Sequence, residues 1–290
     1  MSEHALSSGK GHRDENFPVA SVLISPRHRP AILGFYRFVR TADDVADHAT
    51  AAPEEKLRLL EIMRAGLMGE SDASREGVAL RKLLAARGLT TDHAADLLEA
   101  FRRDVTKLRY ANWNELIDYC RFSAMPVGRY VLDVHGESRT IWPLSDALCT
   151  ALQIINHLQD CAKDFHDLDR VYLPLDTMAA NGVTVAALAA NESSPALRAV
   201  IAALARRNAE LLARSAPFAA HIRDPRLALE VSVIQRLAED LNNRLLVRDP
   251  LSERVHHRKA ELPTLLFSAF ARFLGTRLRP KTASHIARQQ

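Results

Sequence analysis

Two stretches of this chain place aspartates four residues apart. Asp43 and Asp47 lie in Arg40-Thr-Ala-Asp43-Asp44-Val-Ala-Asp47. Asp160 and Asp164 lie in Gln153-Ile-Ile-Asn156-His-Leu-Gln159-Asp160-Cys-Ala-Lys163-Asp164. On a helix this spacing puts both carboxylates on one face, within one turn. Like charges at this spacing repel, and Asp is a mediocre helix former, so something must offset the arrangement. A divalent cation does so. Magnesium prefers oxygen ligands, keeps several waters and bridges carboxylates to phosphate oxygens. A pair on each of two facing helices can clamp a diphosphate through two or three magnesium ions. The leaving group is thereby neutralised and a carbon–oxygen bond can ionise.

A single pair of this kind usually marks a solvated helix face. Here each pair adjoins apolar sequence, and Leu148, Leu152, Ile154, Ile155 and Leu158 surround the approach to the second. Other polar residues share these faces. Arg40 stands three residues before Asp43, with Tyr36 one turn further back. Gln153, Asn156, Asp160 and Asp164 form a stripe at spacings of three, four and four. Buried polar groups must find partners, and a hydrated metal–diphosphate cluster would supply them. For Arg40, the plain alternative is a salt bridge to a neighbouring acid.

The elements that must position these groups read as helices. Periodic apolar residues run from about 26 to 48, from 53 towards 66, from 71 to 86 and from 91 to 105. Pro53 suits a helix start. A segment over 113–135 is interrupted at Pro126, and a long apolar helix follows over about 144–165. Residues 167–174 form a loop. Amphipathic helices are expected over 195–221 and 224–247, and a last one near 263–278. Ala, Leu, Arg and Glu dominate, and 11 glycines are few for 290 residues. The expectation is an all-α, single-domain helical bundle over 16–290, with residues 1–15 loosely attached.

The net charge of +4 suits anionic partners such as diphosphates or acidic membrane surfaces. Aromatic and basic residues do not interleave, which argues against nucleic acid. Cys120, Cys149 and Cys161 form no CxxC pair and read as reduced, partly buried thiols. The first residues are polar and lack the apolar stretch of a signal peptide, and no run reaches the length of a membrane-spanning helix. A cytoplasmic location is expected. Residues 262–279 mix apolar residues with arginines, so that segment either lies on the inner membrane surface or packs as an ordinary terminal helix.

Together the motifs resemble the squalene/phytoene synthase family, over roughly residues 14–250. The anchors are the two aspartate motifs, Arg170-Val-Tyr172-Leu-Pro174, and Tyr119-Cys-Arg-Phe-Ser-Ala-Met-Pro-Val-Gly128. Within the family the chain is most similar to the bacterial hydroxysqualene synthase branch. Three features carry this: Asn16-Phe-Pro-Val-Ala-Ser21, Ser123-Ala-Met-Pro-Val-Gly-Arg129, and Gln159 where other branches usually carry Arg before Asp160. An arginine missing beside the metal cluster would suit a site that handles one diphosphate. His48, and Asp167-Leu-Asp169 before Arg170, depart from the family pattern.

The resemblance implies the class I terpenoid synthase fold with a central cavity. It implies that Asp43, Asp47, Asp160 and Asp164, with Asn156, bind magnesium and diphosphate, and that Tyr36, Arg40 and Arg170 help hold the diphosphate. Asp104, Tyr119, Gln153 and Tyr172 would line the reaction cavity, and Asn16 would belong to the substrate-binding set. For Tyr119 and Tyr172, a core tyrosine with a satisfied hydroxyl is the alternative. The implied reaction converts presqualene diphosphate to hydroxysqualene and diphosphate without NADPH, with a presqualene diphosphate synthase as a conceivable partner. Open alternatives are a presqualene diphosphate or squalene synthase, a phytoene synthase, and a catalytically silent relative that binds a partner or a membrane.

Overall fold

The computed structural model describes residues 24–278. The N-terminal segment expected to be loose, and the Asn16–Ser21 signature, lie outside them. The described chain is a bundle of thirteen α-helices with two short 3-10 turns and no strand; its one β-bridge joins Arg109 to Val171.

The first four helices are α1 (Arg29–Asp47), α2 (Pro53–Met68), α3 (Arg75–Ala85) and α4 (Asp92–Thr106). Local chemistry sets their ends. Pro53 opens α2, Gly69 closes it at φ 86, and the Ser74 side chain accepts from Gly77 N–H to start α3. Next come α5 (Trp113–Ser123), capped by Asn112, and α6 (Met125–His135). The expected break at Pro126 falls at Ala124 instead, because proline is favoured inside the first turn of the new helix.

The long helix expected over 144–165 is two: α7 (Trp142–Gln159) and α8 (Cys161–Leu168). They meet at Asp160, whose ψ opens to 10°. Helical hydrogen bonding nevertheless continues across the joint, from Asp160 N–H to Asn156 and from Asp164 N–H to Asp160. The remaining helices are α9 (Leu175–Ala180), α10 (Pro195–Ser215), α11 (Phe218–His221), α12 (Pro225–Leu245) and α13 (Leu262–Leu278). Helix α9 was not expected: its six residues are too few to show a period. The helix expected over 195–221 is two, α10 and α11, divided at Pro217, which has no N–H with which to continue the helix.

Two apolar clusters form the core. One gathers α1–α4 around Phe38, Leu60 and Met63; the other gathers α5 and α7–α12 around Ile154, Ile155 and Leu204. Helix α6 contributes to both, through Tyr130 and Leu132. Where α6 crosses α7 the backbones approach closely. A Cβ on Gly128 would stand 2.3 Å from Ser145 Oγ and 2.6 Å from Cys149 Sγ, so only glycine fits. Between the clusters lies a cavity of about 530 Å³, walled by α1, α4, α5, α6, α7 and α12.

Candidate active site

The cavity has two chemically distinct ends. At one, Asp43 and Asp47 of α1 meet Asp160 and Asp164 at the α7–α8 joint, with Arg40, Asn156 and Arg170 beside them. At the other, the wall is apolar, built from residues such as Phe35, Leu97, Leu152, Phe218, Val231 and Ile234. Every residue proposed for the site from sequence lines this cavity, except Asn16, which lies outside the described residues.

Arg40 is held by its own helix. It bonds Asp43 at 2.9 Å and the buried Asp44 at 2.6 Å. The salt-bridge reading and the cavity-lining reading therefore both describe it. Arg170 ties three elements together. Its guanidinium donates to the Asp47 carboxylate at 2.5 Å, to the Ala46 carbonyl at 3.1 Å and to the Asp104 carbonyl at 2.9 Å.

The segment carrying Arg170 is itself pinned. Val171 N–H bonds the Leu108 carbonyl, and Leu175 N–H bonds the Tyr110 carbonyl. In this extended stretch alternate residues face alternate sides. Arg170 and Tyr172 line the cavity, while Val171 packs in the core. Just before it, Asp169 takes a left-handed conformation at φ 50, and Arg109 bonds its carboxylate at 2.5 Å. Aspartate is among the few non-glycine residues that adopt this conformation readily.

Behind the acidic end lies a buried hydrogen-bonded group. The hydroxyls of Tyr119 and Tyr172 each donate to Asp104 at 2.8 Å, so both tyrosines line the cavity with satisfied hydroxyls. His157 stacks on Tyr172 with ring centroids 3.6 Å apart, and its Nε2 lies 3.1 Å from Gln153 Nε2. Sequence reading assigned no role to His157. The available signal was its place one turn beyond Gln153 in the polar stripe.

The electrostatics follow from crowding. Burial, reinforced by Asp47, pushes the Asp43 carboxyl well above the usual carboxylate range against the pull of Arg40. Its open surface faces the cavity. Burial, with the charges of Asp160 and Asp47, raises Asp164 to about 7. Burial raises Asp104 to about 6, while Arg170 and the two tyrosine hydroxyls hold it down. Burial, then Arg170, lowers His157 to about 3, so its imidazole is neutral. The three thiols are pushed up by burial, to about 12 for Cys120 and Cys161 and about 11 for Cys149.

One expectation is overturned. Gln159 does not face the acidic end. It is buried behind the joint, where its amide donates to the Val255 carbonyl. Successive helical residues point about 100° apart, so a side chain adjoining the cavity-facing Asp160 points away from it. Residue 159 thus carries no direct argument about how many diphosphates the cavity admits.

A second set of donors, His28, His135 and Asp224, converges outside this cavity. There the two imidazoles pack at a tilt with centroids 4.2 Å apart and Arg27 donates to His28 Nε2, a packing joint where the chain enters α1.

Residues 11–261 match the family model for squalene/phytoene synthase. The chain is 56% identical over 269 residues to the hydroxysqualene synthase of Zymomonas mobilis, covering 92% of this chain and 91% of that one. It is 56% identical over 266 residues to the hydroxysqualene synthase of Rhodopseudomonas palustris, again covering 92% and 91%. Among solved structures, a squalene synthase from Alicyclobacillus acidocaldarius superposes with a TM-score of 0.68 at 29% identity, covering 92% of this chain and 93% of that one. The four aspartates thus sit in a helical bundle shared with isoprenoid synthases, and this chain is an enzyme of the squalene/phytoene synthase family.

Proposed function

We propose that the enzyme converts presqualene diphosphate to hydroxysqualene and diphosphate, with magnesium held between the two aspartate pairs. The observation that carries this reading is the 56% identity, over nine-tenths of the chain, to proteins named hydroxysqualene synthase.

The donor set fits magnesium. Four carboxylates and the Asn156 amide line one end of the cavity, all of them able to offer hard oxygen ligands. Burial and mutual repulsion hold Asp43 and Asp164 towards their protonated forms, a strain that divalent cations would relieve. When bound, magnesium supplies positive charge that stabilises the departing diphosphate. Arg40 and Arg170 add fixed charge there. Tyr119 and Tyr172, anchored on Asp104, line the cavity in which the carbocation is left behind. The apolar walls keep bulk water away from it. Substrate and product differ by exchange of diphosphate for hydroxyl, which is redox-neutral, so no nicotinamide enters.

We also infer that the enzyme rests on an anionic membrane surface through α13. Leu265 and Ala269 are buried, and the Ser232 hydroxyl of α12 bonds the Ala269 carbonyl, while Leu266, Phe267, Phe270 and Leu274 remain exposed. Arg254, Arg258 and Lys259 are exposed just before it, matching acidic lipid headgroups. Helices α11 and α12, against which α13 packs, contribute to the apolar end of the cavity, the natural side for a long, mostly apolar product to leave.

Product analysis tests the reaction. Purified enzyme is incubated with magnesium and presqualene diphosphate without NADPH, and in parallel with farnesyl diphosphate alone. Hydroxysqualene in the first and no conversion in the second is the expected result. Presqualene diphosphate in the second would make this a condensing enzyme instead.

A further inference from the structure

Capture of a carbocation by water poses a problem of placement. Bulk water would quench it unselectively, and a dry cavity would leave only proton loss or rearrangement. A single water must be held close to the diphosphate end, and a buried water needs two or more polar partners.

Most polar groups near that end are committed. The four aspartates, Asn156, Arg40 and Arg170 belong to the diphosphate cluster. The Tyr119 and Tyr172 hydroxyls donate to Asp104. Gln153 stands apart from both sets. It lines the cavity one turn before Asn156, about 4.5 Å along the helix axis. Its amide is oriented by His157: the Gln153 Nε2 donates to His157 Nε2, and the ring is fixed by its stack on Tyr172. The carbonyl end of the amide is left to accept.

The facing wall supplies the second partner. The α5–α6 segment runs antiparallel to α7: Tyr119 faces His157 at 6.0 Å between rings, and Gly128 faces Ser145 and Cys149. Between these levels, one turn beyond Tyr119 and one turn before His157, Ser123 comes opposite Gln153. Ser123 lines the cavity, and its buried Oγ has no hydrogen-bond partner among the described residues.

We propose that Ser123 and Gln153 hold the water that captures the carbocation, with His157 as the positioning residue for the Gln153 amide. The inference rests on the reaction proposed above. The water donates its hydrogens to Gln153 Oε1 and Ser123 Oγ, which turns a lone pair towards the electron-deficient carbon. That lone pair forms the new carbon–oxygen bond, after the bond to diphosphate has broken. The oxonium proton passes to the released diphosphate anion. No oxidant or reductant takes part.

The test measures products per diphosphate released, using presqualene diphosphate and magnesium. Ser123→Ala and Gln153→Leu are each expected to lower the hydroxysqualene fraction about ten-fold in favour of hydrocarbons formed by proton loss. Ser123→Thr restores the hydroxyl and is expected to restore the fraction. His157→Phe keeps a ring against Tyr172 and is expected to lower the fraction less than Gln153→Leu. An unchanged hydroxysqualene fraction in Ser123→Ala overturns the proposal, and this variant removes a single oxygen, so folding is retained. Release of diphosphate without hydroxysqualene by the unsubstituted enzyme would overturn the reaction itself, ahead of any variant.

Discussion

Arg170 and Asp47 are separated by 123 residues, and their side chains meet at 2.5 Å, joining the end of α1 to the segment after α8. The same guanidinium satisfies two backbone carbonyls, those of Ala46 and Asp104. Lysine keeps the charge but cannot reach three acceptors in that fork geometry. Arg170→Lys is therefore expected to destabilise the fold by about 2 kcal/mol, through carbonyls left unsatisfied in a buried setting. Urea unfolding measures it. Equal midpoints for variant and parent would show that the carbonyl contacts contribute nothing.

The aspartates are expected to trade activity against stability. Asp43→Asn and Asp164→Asn each remove one carboxylate from a mutually repelling set. Diphosphate release with magnesium should fall by about 10²–10³, the loss typical when one element of leaving-group stabilisation is removed. Without magnesium the variants should melt at or above the parent's temperature. A metal-free variant that melts several degrees lower would show that these carboxylates support the fold rather than strain it.

Asp104 gives a pH dependence of known sign. Its folded pKa of about 6 lies above the unfolded value of about 3.9. The folded state thus holds the proton more tightly. The resulting stability is fully present below about pH 3.9 and is lost as pH rises through about 6, an effect of about 3 kcal/mol by linkage. Asp104→Asn removes this slope. The stability difference, parent minus variant, is expected to shrink between pH 4.5 and pH 7. Parallel profiles for the two proteins would contradict the raised value.

Gly128→Ala forces a methyl group to within 2.3 Å of Ser145 Oγ and 2.6 Å of Cys149 Sγ. Overpacking of this kind costs about 1–3 kcal/mol. Pairing it with Cys149→Ala, which clears one of the two clashes, is expected to return part of that loss. Calorimetric melting of the single and double variants checks both directions, and additive losses would place the strain elsewhere.

Attachment through α13 is testable with vesicles. The enzyme should co-sediment with liposomes rich in phosphatidylglycerol and less with neutral ones. Phe267→Ser with Phe270→Ser should weaken that binding about ten-fold or more, given the apolar area withdrawn from the lipid. Binding that survives the double substitution would remove α13 from the interface.

Sequence alone determined the helical class and the principal helices, because apolar residues recur along them at the helical period and their ends carry prolines, glycines and polar caps. It also determined the acidic end of the cavity, since a four-residue spacing places both aspartates of a pair on one helix face whatever the tertiary context. Other features depended on contacts between distant segments. The direction of Gln159 was settled by its partner at Val255, 96 residues away. The break at Asp160 left no mark in the apolar pattern, because hydrogen bonding continues through it. The Asp104 group joins residues 104, 119 and 172, which share no local spacing. His157 gained a role only when α5, α7 and the strand-like segment after α8 closed around it. Local periodicity records which face a residue occupies, and only packing decides what that face meets.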